Sequence, residues 1–186
     1  MTYKRKLGFE VPPLSQKDIA NKSLNLRKSL DEHAILSFSE KRVEMARVLE
    51  RMEHHELITM QIVPNSILSG VEADCRGTHI RISESVYDNA VTGCPRSQFT
   101  LAHELGHAAL HCSVEPVSFG FNRNTSHAIY RDSEWQADSF ASCFIVPFTL
   151  LGKDTTAARI QSEFGLSMTA SILRMKMYKL ERQRAI

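Results

Sequence analysis

The 186-residue sequence lacks features that would place it in several common classes of protein. No run approaches the roughly 20 apolar residues that a membrane-spanning helix needs, so we expect no membrane segment. The N-terminus has no apolar stretch typical of a signal peptide. The 4 cysteines, at positions 75, 94, 112 and 143, form no C-x-x-C pair. We therefore predict a cytoplasmic protein with free thiols.

The chain also has little excess charge. Its 23 lysine and arginine residues against 21 aspartate and glutamate residues leave a formal net charge of +2. This value is too small to indicate nucleic acid as the main partner. The length and a hydrophobic content of 42% predict one core with appended ends rather than two separate enzymes.

The most informative stretch is residues 99–107, which carries His103, Glu104 and His107 in an H-E-x-x-H pattern. In a helix, residues four apart lie on one face about one turn apart, so both imidazoles can bind one metal ion. Glu104 lies roughly a quarter turn away, where it can reach a water beside that metal. The surrounding helix is largely apolar, so we expect it to be buried. Two histidines and a glutamate in a buried helix need polar partners, and a metal ion is the simplest partner for all three. The pattern is typical of a zinc hydrolase.

A catalytic zinc needs three protein ligands if water is to keep the fourth position, and a second helical stretch offers the third. Ser133 or Asp132 can cap this helix, and Pro147 can end it. Glu134 and Asp138 lie four residues apart on one of its faces. We predict that Glu134 is the third ligand. Asp138 suits an acceptor for the distal N–H of a ligand histidine.

Together, the two stretches resemble the ImmA/IrrE family of zinc metallopeptidases. The resemblance is carried by F-T-L-A-H-E-L-G-H at residues 99–107 and E-W-Q-A-D-x-F-A at residues 134–141, and it covers roughly residues 96–147. The E-x-x-x-D spacing also resembles the gluzincin pattern. The resemblance implies one zinc ion per chain, a glutamate base and an aspartate that supports a histidine. Carried over residue by residue, the ligands are His103, His107 and Glu134, the base is Glu104 and the supporting residue is Asp138.

The resemblance further implies a cytoplasmic endopeptidase that cuts a transcriptional repressor, typically one with a helix-turn-helix domain, and so derepresses genes. The alternative from another class is a regulatory protein whose zinc is structural and which binds DNA or a repressor without cutting it. A toxin-like protease that attacks cellular proteins would differ only in its substrate.

The resemblance and the remaining sequence predict an α+β fold: a zincin-like metallopeptidase core with a small, mostly antiparallel three-stranded sheet packed on the HExxH helix. The strands fall within residues 57–63, 71–75 and 78–83, with a tight turn at Arg76-Gly77 before the last. An edge strand of this sheet could pair with an extended peptide and draw the scissile bond across the zinc.

Helices and an arm complete the predicted organisation. We expect an extended arm up to Pro13, a capped helix from Ser15 to about Leu30, a second helix over about 40–54, and an irregular connection over 84–95. The predicted divisions are an N-terminal arm and helices, the peptidase core, and a C-terminal helical pair. Their bounds are residues 1–56, 57–150 and 151–186.

Amide hydrolysis also needs a donor for the developing oxyanion besides zinc. Tyr130 and His127 are candidates on their capacity to donate, and they lie in a long connection, residues 113–131, that could form a lid or a substrate-binding loop. His111 lies another turn, ~5.4 Å, along the row of the two motif histidines. We expect it to support the site or face the surface rather than to bind metal.

The segment 155–180 predicts two short helices that are joined at Gly165 and capped by Ser167, in the outline of a helix-turn-helix. In a DNA-binding helix-turn-helix the second helix would contact the bases. Here the apolar residues of that helix would instead favour burial against the protein. We therefore favour a helical pair that packs on the core or docks a protein partner, and rank direct DNA binding below it.

Overall fold

The computed structural model describes residues 7–68, 70–113 and 127–183. Within these residues the chain forms seven α-helices and one three-stranded sheet, which confirms the α+β class. None of the described helices is long and apolar enough to cross a lipid bilayer. The helices are α1 (Gln16–Glu32), α2 (Met45–His54), α3 (Glu84–Val91), α4 (Pro95–His111), α5 (Ser133–Ile145), α6 (Ala157–Phe164) and α7 (Met168–Gln183). The strands are β1 (Thr59–Val63), β2 (Ala73–Arg76) and β3 (His79–Ser83).

The sheet has the order β1-β3-β2 and is mixed. β2 pairs antiparallel with β3 as predicted, across a turn in which Gly77 adopts a φ of +62°. β1, however, pairs parallel with β3, so the prediction of a mostly antiparallel sheet is wrong for this half. The chain reverses once between β1 and β2 and again at Gly77. Two reversals leave β1 and β3 running in the same direction.

Local signals in the sequence account for several helix ends. Ser15 and Asp18 form a reciprocal capping box at the start of α1, and Asp132 caps α5 by accepting the N–H of Trp135 at 2.8 Å. Pro95 occupies the first turn of α4, where its missing N–H costs no helical hydrogen bond. Gly165 ends α6 with a φ of +75°, a conformation that glycine adopts without steric cost.

Two predicted boundaries need correction. Residues 84–95 are not irregular, because α3 occupies most of them and buries Val86 and Ala90, which lie four apart on one face. The second helix begins at Met45 rather than near residue 40. The N–H of Met45 donates to the side-chain oxygen of Gln98 at 2.6 Å. Because Gln98 is distant in the sequence, no local pattern could indicate this helix start.

The C-terminal pair packs on the rest of the molecule. Ile160, Phe164 and Leu166 belong to the same hydrophobic core as α4 and α5. Arg174 on α7 is fully buried, and its Nε donates to the carbonyl of Val146 at 2.9 Å. On α7 itself, however, the apolar side chains of Met168, Ile172, Leu173 and Leu180 are exposed, so the expected burial is wrong for these residues.

Candidate metal centre

The site is built where α5 lies across α4. Gly106, within the H-E-L-G-H stretch, faces α5 so closely that an added Cβ would lie 3.1 Å from the carbonyl oxygen of Ala137 and 3.2 Å from its Cα. A glycine here lets the two helices approach each other. The approach places Glu134, in the first turn of α5, opposite the two histidines of α4.

Three side chains converge with the geometry of a metal site. The Nε2 atoms of His103 and His107 lie 3.0 Å apart, and the Glu134 carboxylate oxygens lie 3.3 Å from the first and 3.4 Å from the second. A tetrahedral zinc with bonds of about 2.0–2.1 Å separates its ligand atoms by about 3.3 Å. Donor atoms at these separations are therefore compatible with a bound metal ion of this size. Among the described residues, this is the group of three acidic, histidine or cysteine side chains close enough to hold a metal.

Asp138 fixes the orientation of the first ligand. Its Oδ1 lies 2.9 Å from Nδ1 of His103. An ionised carboxylate only accepts hydrogen bonds, so Nδ1–H donates and the lone pair of Nε2 faces the other ligands. The structure thus places Asp138 where the sequence predicted a supporting acceptor.

The second ligand is oriented by a longer chain of hydrogen bonds. The Gln136 amide nitrogen donates to the carbonyls of Pro12 and Tyr130, at 2.9 Å each, so its oxygen faces Nε2 of His111 at 3.0 Å. His111 must then donate from Nε2, which leaves its Nδ1 to accept from Nδ1–H of His107 at 3.1 Å. The Nε2 lone pair of His107 is thereby directed at the site. Burial lowers the pKa of His111 and favours the neutral ring that this chain requires.

The charges in the site show how strongly it favours a cation. Burial alone would lower the pKa of His103, but hydrogen bonds to Asp138 and Glu134, with the charge of Glu104, raise it to about 10 in the metal-free chain. Hydrogen bonds from His103 and His107 hold the pKa of Glu134 well below its usual range. The ligand set therefore stabilises positive charge at its centre, whether a proton or a metal ion supplies it.

Glu104 is suited to proton transfer. It is only 6% exposed, yet it lines the same cavity as the ligands. Burial raises the pKa of its carboxyl, and the neighbouring His103 and His107 offset part of this rise. A carboxylate with a raised pKa is a better proton acceptor near neutral pH than an ordinary glutamate.

The cavity in front of these residues has a volume of about 1060 Å³. Its lining comes from residues 71–77, which include β2, and from α4. Phe9, Glu10 and Val11 of the N-terminal arm and the start of α5 also line it. The arm runs along residues 130–133 as an extended segment, with Val11 N–H donating to the Arg131 carbonyl at 2.8 Å.

The two candidates for the oxyanion donor, His127 and Tyr130, lie outside the cavity. The side chain of His127 is only 4% exposed, and its Nε2 lies 3.0 Å from Oδ2 of Asp132. Tyr130 is half exposed and uses its backbone carbonyl, not its phenol, to hold Gln136. Neither residue lines the cavity. Most of the predicted lid, residues 114–126, lies outside the described residues.

Sequence reasoning missed two contributors to the site. Gln136 stands inside the E-W-Q-A-D stretch, where a buried amide between two acidic residues could have signalled a structural hydrogen bond. Gly8 gave no signal, because its partners lie 124 or more residues away in the sequence. Both residues connect the arm to the candidate metal ligands.

A helix that carries H-E-x-x-H, with an acidic third ligand from a neighbouring helix and an edge strand along the cavity, has the features of a metallopeptidase site. The family model for peptidase M78, described as the IrrE N-terminal-like domain, matches residues 72–176, more than half of the chain. The chain therefore belongs to this family, and the ImmA/IrrE resemblance is confirmed. A comparison with curated proteins gives no match.

Proposed function

We propose that this protein is a zinc-dependent endopeptidase that hydrolyses a peptide bond in a protein substrate. The observation that carries the proposal is that two Nε2 atoms, 3.0 Å apart, face the carboxylate of Glu134 beside the buried Glu104. Oε2 of Glu134 lies 3.3 Å from Nε2 of His103, and its Oε1 lies 3.4 Å from Nε2 of His107. Membership of a peptidase family supports it. The core is zincin-like in this proposal, with His103, His107 and Glu134 as the ligands.

The residues divide the chemistry between them. A bound zinc ion would supply Lewis acidity, which acidifies water and polarises the scissile carbonyl. Glu104 accepts the proton as water attacks and then delivers it to the leaving amine. With zinc bound, Asp138 and His111 would hold both imidazoles in the tautomer that is protonated at Nδ1 and leaves Nε2 free for the metal.

The edge of the sheet supports binding of an extended substrate. β2 is an edge strand, and the Ser83 N–H donates to the Glu72 carbonyl at 3.1 Å. In an antiparallel pair with this register, the backbone groups of Ala73 and Cys75 point away from β3. Both residues line the cavity, so a peptide could pair with them by β-addition.

The ligand count favours catalysis over the structural-zinc alternative. Structural zinc sites close their coordination with four protein ligands, whereas catalytic sites use three and keep one position open. The described cluster has three members and opens into the cavity. The further identification of the substrate as a helix-turn-helix repressor rests on the family resemblance, and it completes the proposal as an anti-repressor function.

The test uses the full-length, zinc-loaded protein incubated with candidate repressors, followed by intact-mass measurement. We expect paired fragments whose masses sum to that of the repressor plus one water. The fragments should vanish with a chelator and with Glu104→Gln, and should return when zinc is restored to the wild type. A stable complex with no fragments from any substrate would overturn the peptidase proposal in favour of the binding protein.

A further inference from the structure

We propose that the N-terminal arm, residues 8–12, is a positioning element of the metal centre that holds both Glu134 and His107 in place. The proposal rests on the proposed function, because it takes the three converging side chains as metal ligands. The arm lies outside residues 72–176, the part of the chain that the family model matches. It is therefore a contribution of this chain beyond the family's matched region.

The first contact is between Gly8 and the helix turn that carries Glu134. A Cβ added to Gly8 would overlap Oγ of Ser133, lie 2.6 Å from Cγ of Glu134 and 3.1 Å from its backbone nitrogen. Two of these three atoms belong to the ligand residue itself, and one is backbone that cannot turn aside. The main chain at Gly8 thus packs directly on Glu134 and limits where its carboxylate can go.

Hydrogen bonds hold the arm in this position. Asp132 is fully buried, and its carboxylate accepts the N–H of Gly8 at 2.7 Å while it caps α5. Phe9 exchanges two bonds with Ser133: its N–H donates to Oγ at 3.0 Å, and its carbonyl accepts the Ser133 N–H at 3.0 Å. The arm and the first turn of α5 therefore form one hydrogen-bonded unit.

The second contact reaches His107 from the other end of the arm. The carbonyl of Pro12 accepts one of the two N–H groups of Gln136, which orients the amide toward His111 and, through it, His107. Two of the three ligands consequently depend on this arm. His103 depends instead on Asp138, which lies within the matched region.

The decisive variant is Gly8→Ala, with Gly152→Ala as the matched control, because a Cβ on Gly152 meets nothing within 4 Å. We would measure zinc affinity by competition with a chromophoric chelator, and the visible absorption bands of the cobalt(II)-loaded proteins. Loss of a residue that supports a metal ligand typically weakens metal binding about 10- to 100-fold. We expect a loss of this size and shifted cobalt bands for Gly8→Ala, and wild-type values for Gly152→Ala.

Gln136→Leu tests the second contact, because it removes the link between the arm and His111. We expect weaker zinc binding here too, and if this variant fails to fold, Gly8→Ala still decides the proposal. Wild-type zinc affinity and cobalt bands in Gly8→Ala would overturn it, even if the urea midpoint of the metal-free variant fell. Failure of the wild type to bind zinc would overturn the proposed function as well, so the two failures are distinguishable.

Discussion

Nδ1 of His107 and Nδ1 of His111 lie 3.1 Å apart, one turn along the same helix. Like atoms can share a hydrogen bond only if one ring is protonated at that nitrogen and the other is not. Gln136 fixes the direction of this hydrogen bond. It donates both of its N–H groups to backbone carbonyls, so only its oxygen faces His111, which must donate from Nε2 and accept at Nδ1. Backbone carbonyls thus determine which nitrogen of His107 is left for a metal.

Replacing His111 with two different amides tests this direction. In His111→Asn the side-chain oxygen can stand near the position of Nδ1 and accept from His107, whereas the longer side chain of His111→Gln matches Nε2. We expect His111→Asn to stay near wild-type zinc affinity and His111→Gln to bind about 10- to 100-fold more weakly. Chelator competition measures both. Equal affinities in the two variants would show that the hydrogen bond does not orient His107.

Glu104→Gln separates metal binding from catalysis. The amide cannot accept the proton, so cleavage should fall about 10²- to 10⁴-fold, while zinc still binds at one equivalent per chain. Fragment mass analysis and metal content measure the two properties on the same sample. Cleavage at the wild-type rate by pure, zinc-loaded Glu104→Gln would rule out Glu104 as the base.

The same variant should change the pH dependence of stability in the metal-free protein. Burial raises the folded-state pKa of Glu104 above its unfolded value, so stability is lost as pH rises from the ordinary glutamate pKa of 4.5 through the raised folded pKa. Glu104→Gln should therefore be the more stable protein at neutral pH, with the difference closing as pH falls toward 4.5 and staying closed below it. Urea unfolding at several pH values measures this. A difference that grows toward acid pH would contradict the sign.

Zinc binding should release a proton. The pKa of His103 is about 10 in the metal-free chain, and its Nε2 must lose that proton to bind zinc. Apparent zinc affinity should rise about tenfold per pH unit as pH increases toward about 10, and then level off. Isothermal titration at about pH 8, in buffers of different ionisation enthalpy, counts the proton. Heats that do not depend on the buffer would show that none is released.

Gly106→Ala sets two effects against each other. Alanine in place of a helical glycine favours α4 by about 1 kcal/mol, but its Cβ must displace the backbone of Ala137 on α5. We expect the displacement to dominate at the metal, because Glu134 shares that helix, and zinc affinity to fall. Gly152→Ala is the control. Unchanged zinc affinity in Gly106→Ala would show that α5 can shift without moving its ligand.

Helical spacing was sufficient to predict the centre of the site. Residues four apart on a helix face the same way wherever the helix packs, and this is why His103 with His107, and Glu134 with Asp138, could be paired from the sequence. The capping box at Ser15 and the turn at Gly77 are similarly local. These features depend on neighbours within a few residues.

Features that depend on partners distant in the chain could not be predicted from the sequence. The parallel pairing of β1 depends on how the connection to β2 crosses the sheet, and the role of Gly8 on a contact with α5. His127 and Tyr130 were predicted as oxyanion donors because their side chains can donate a hydrogen bond. That capacity does not determine where the side chains point. The ring of His127 lies instead against the buried carboxylate of Asp132, whose Oδ2 also accepts the N–H of Gly8 while its Oδ1 caps α5.

The bond from Arg174 to the Val146 carbonyl has a mechanical consequence. It fastens α7 to the C-terminal end of α5, whose opposite end carries Glu134, and a helix of 13 residues is about 20 Å long. Loss of this bond would therefore free the end of α5 that lies opposite Glu134. A single helix thus connects the seat of α7 to the placement of a candidate metal ligand.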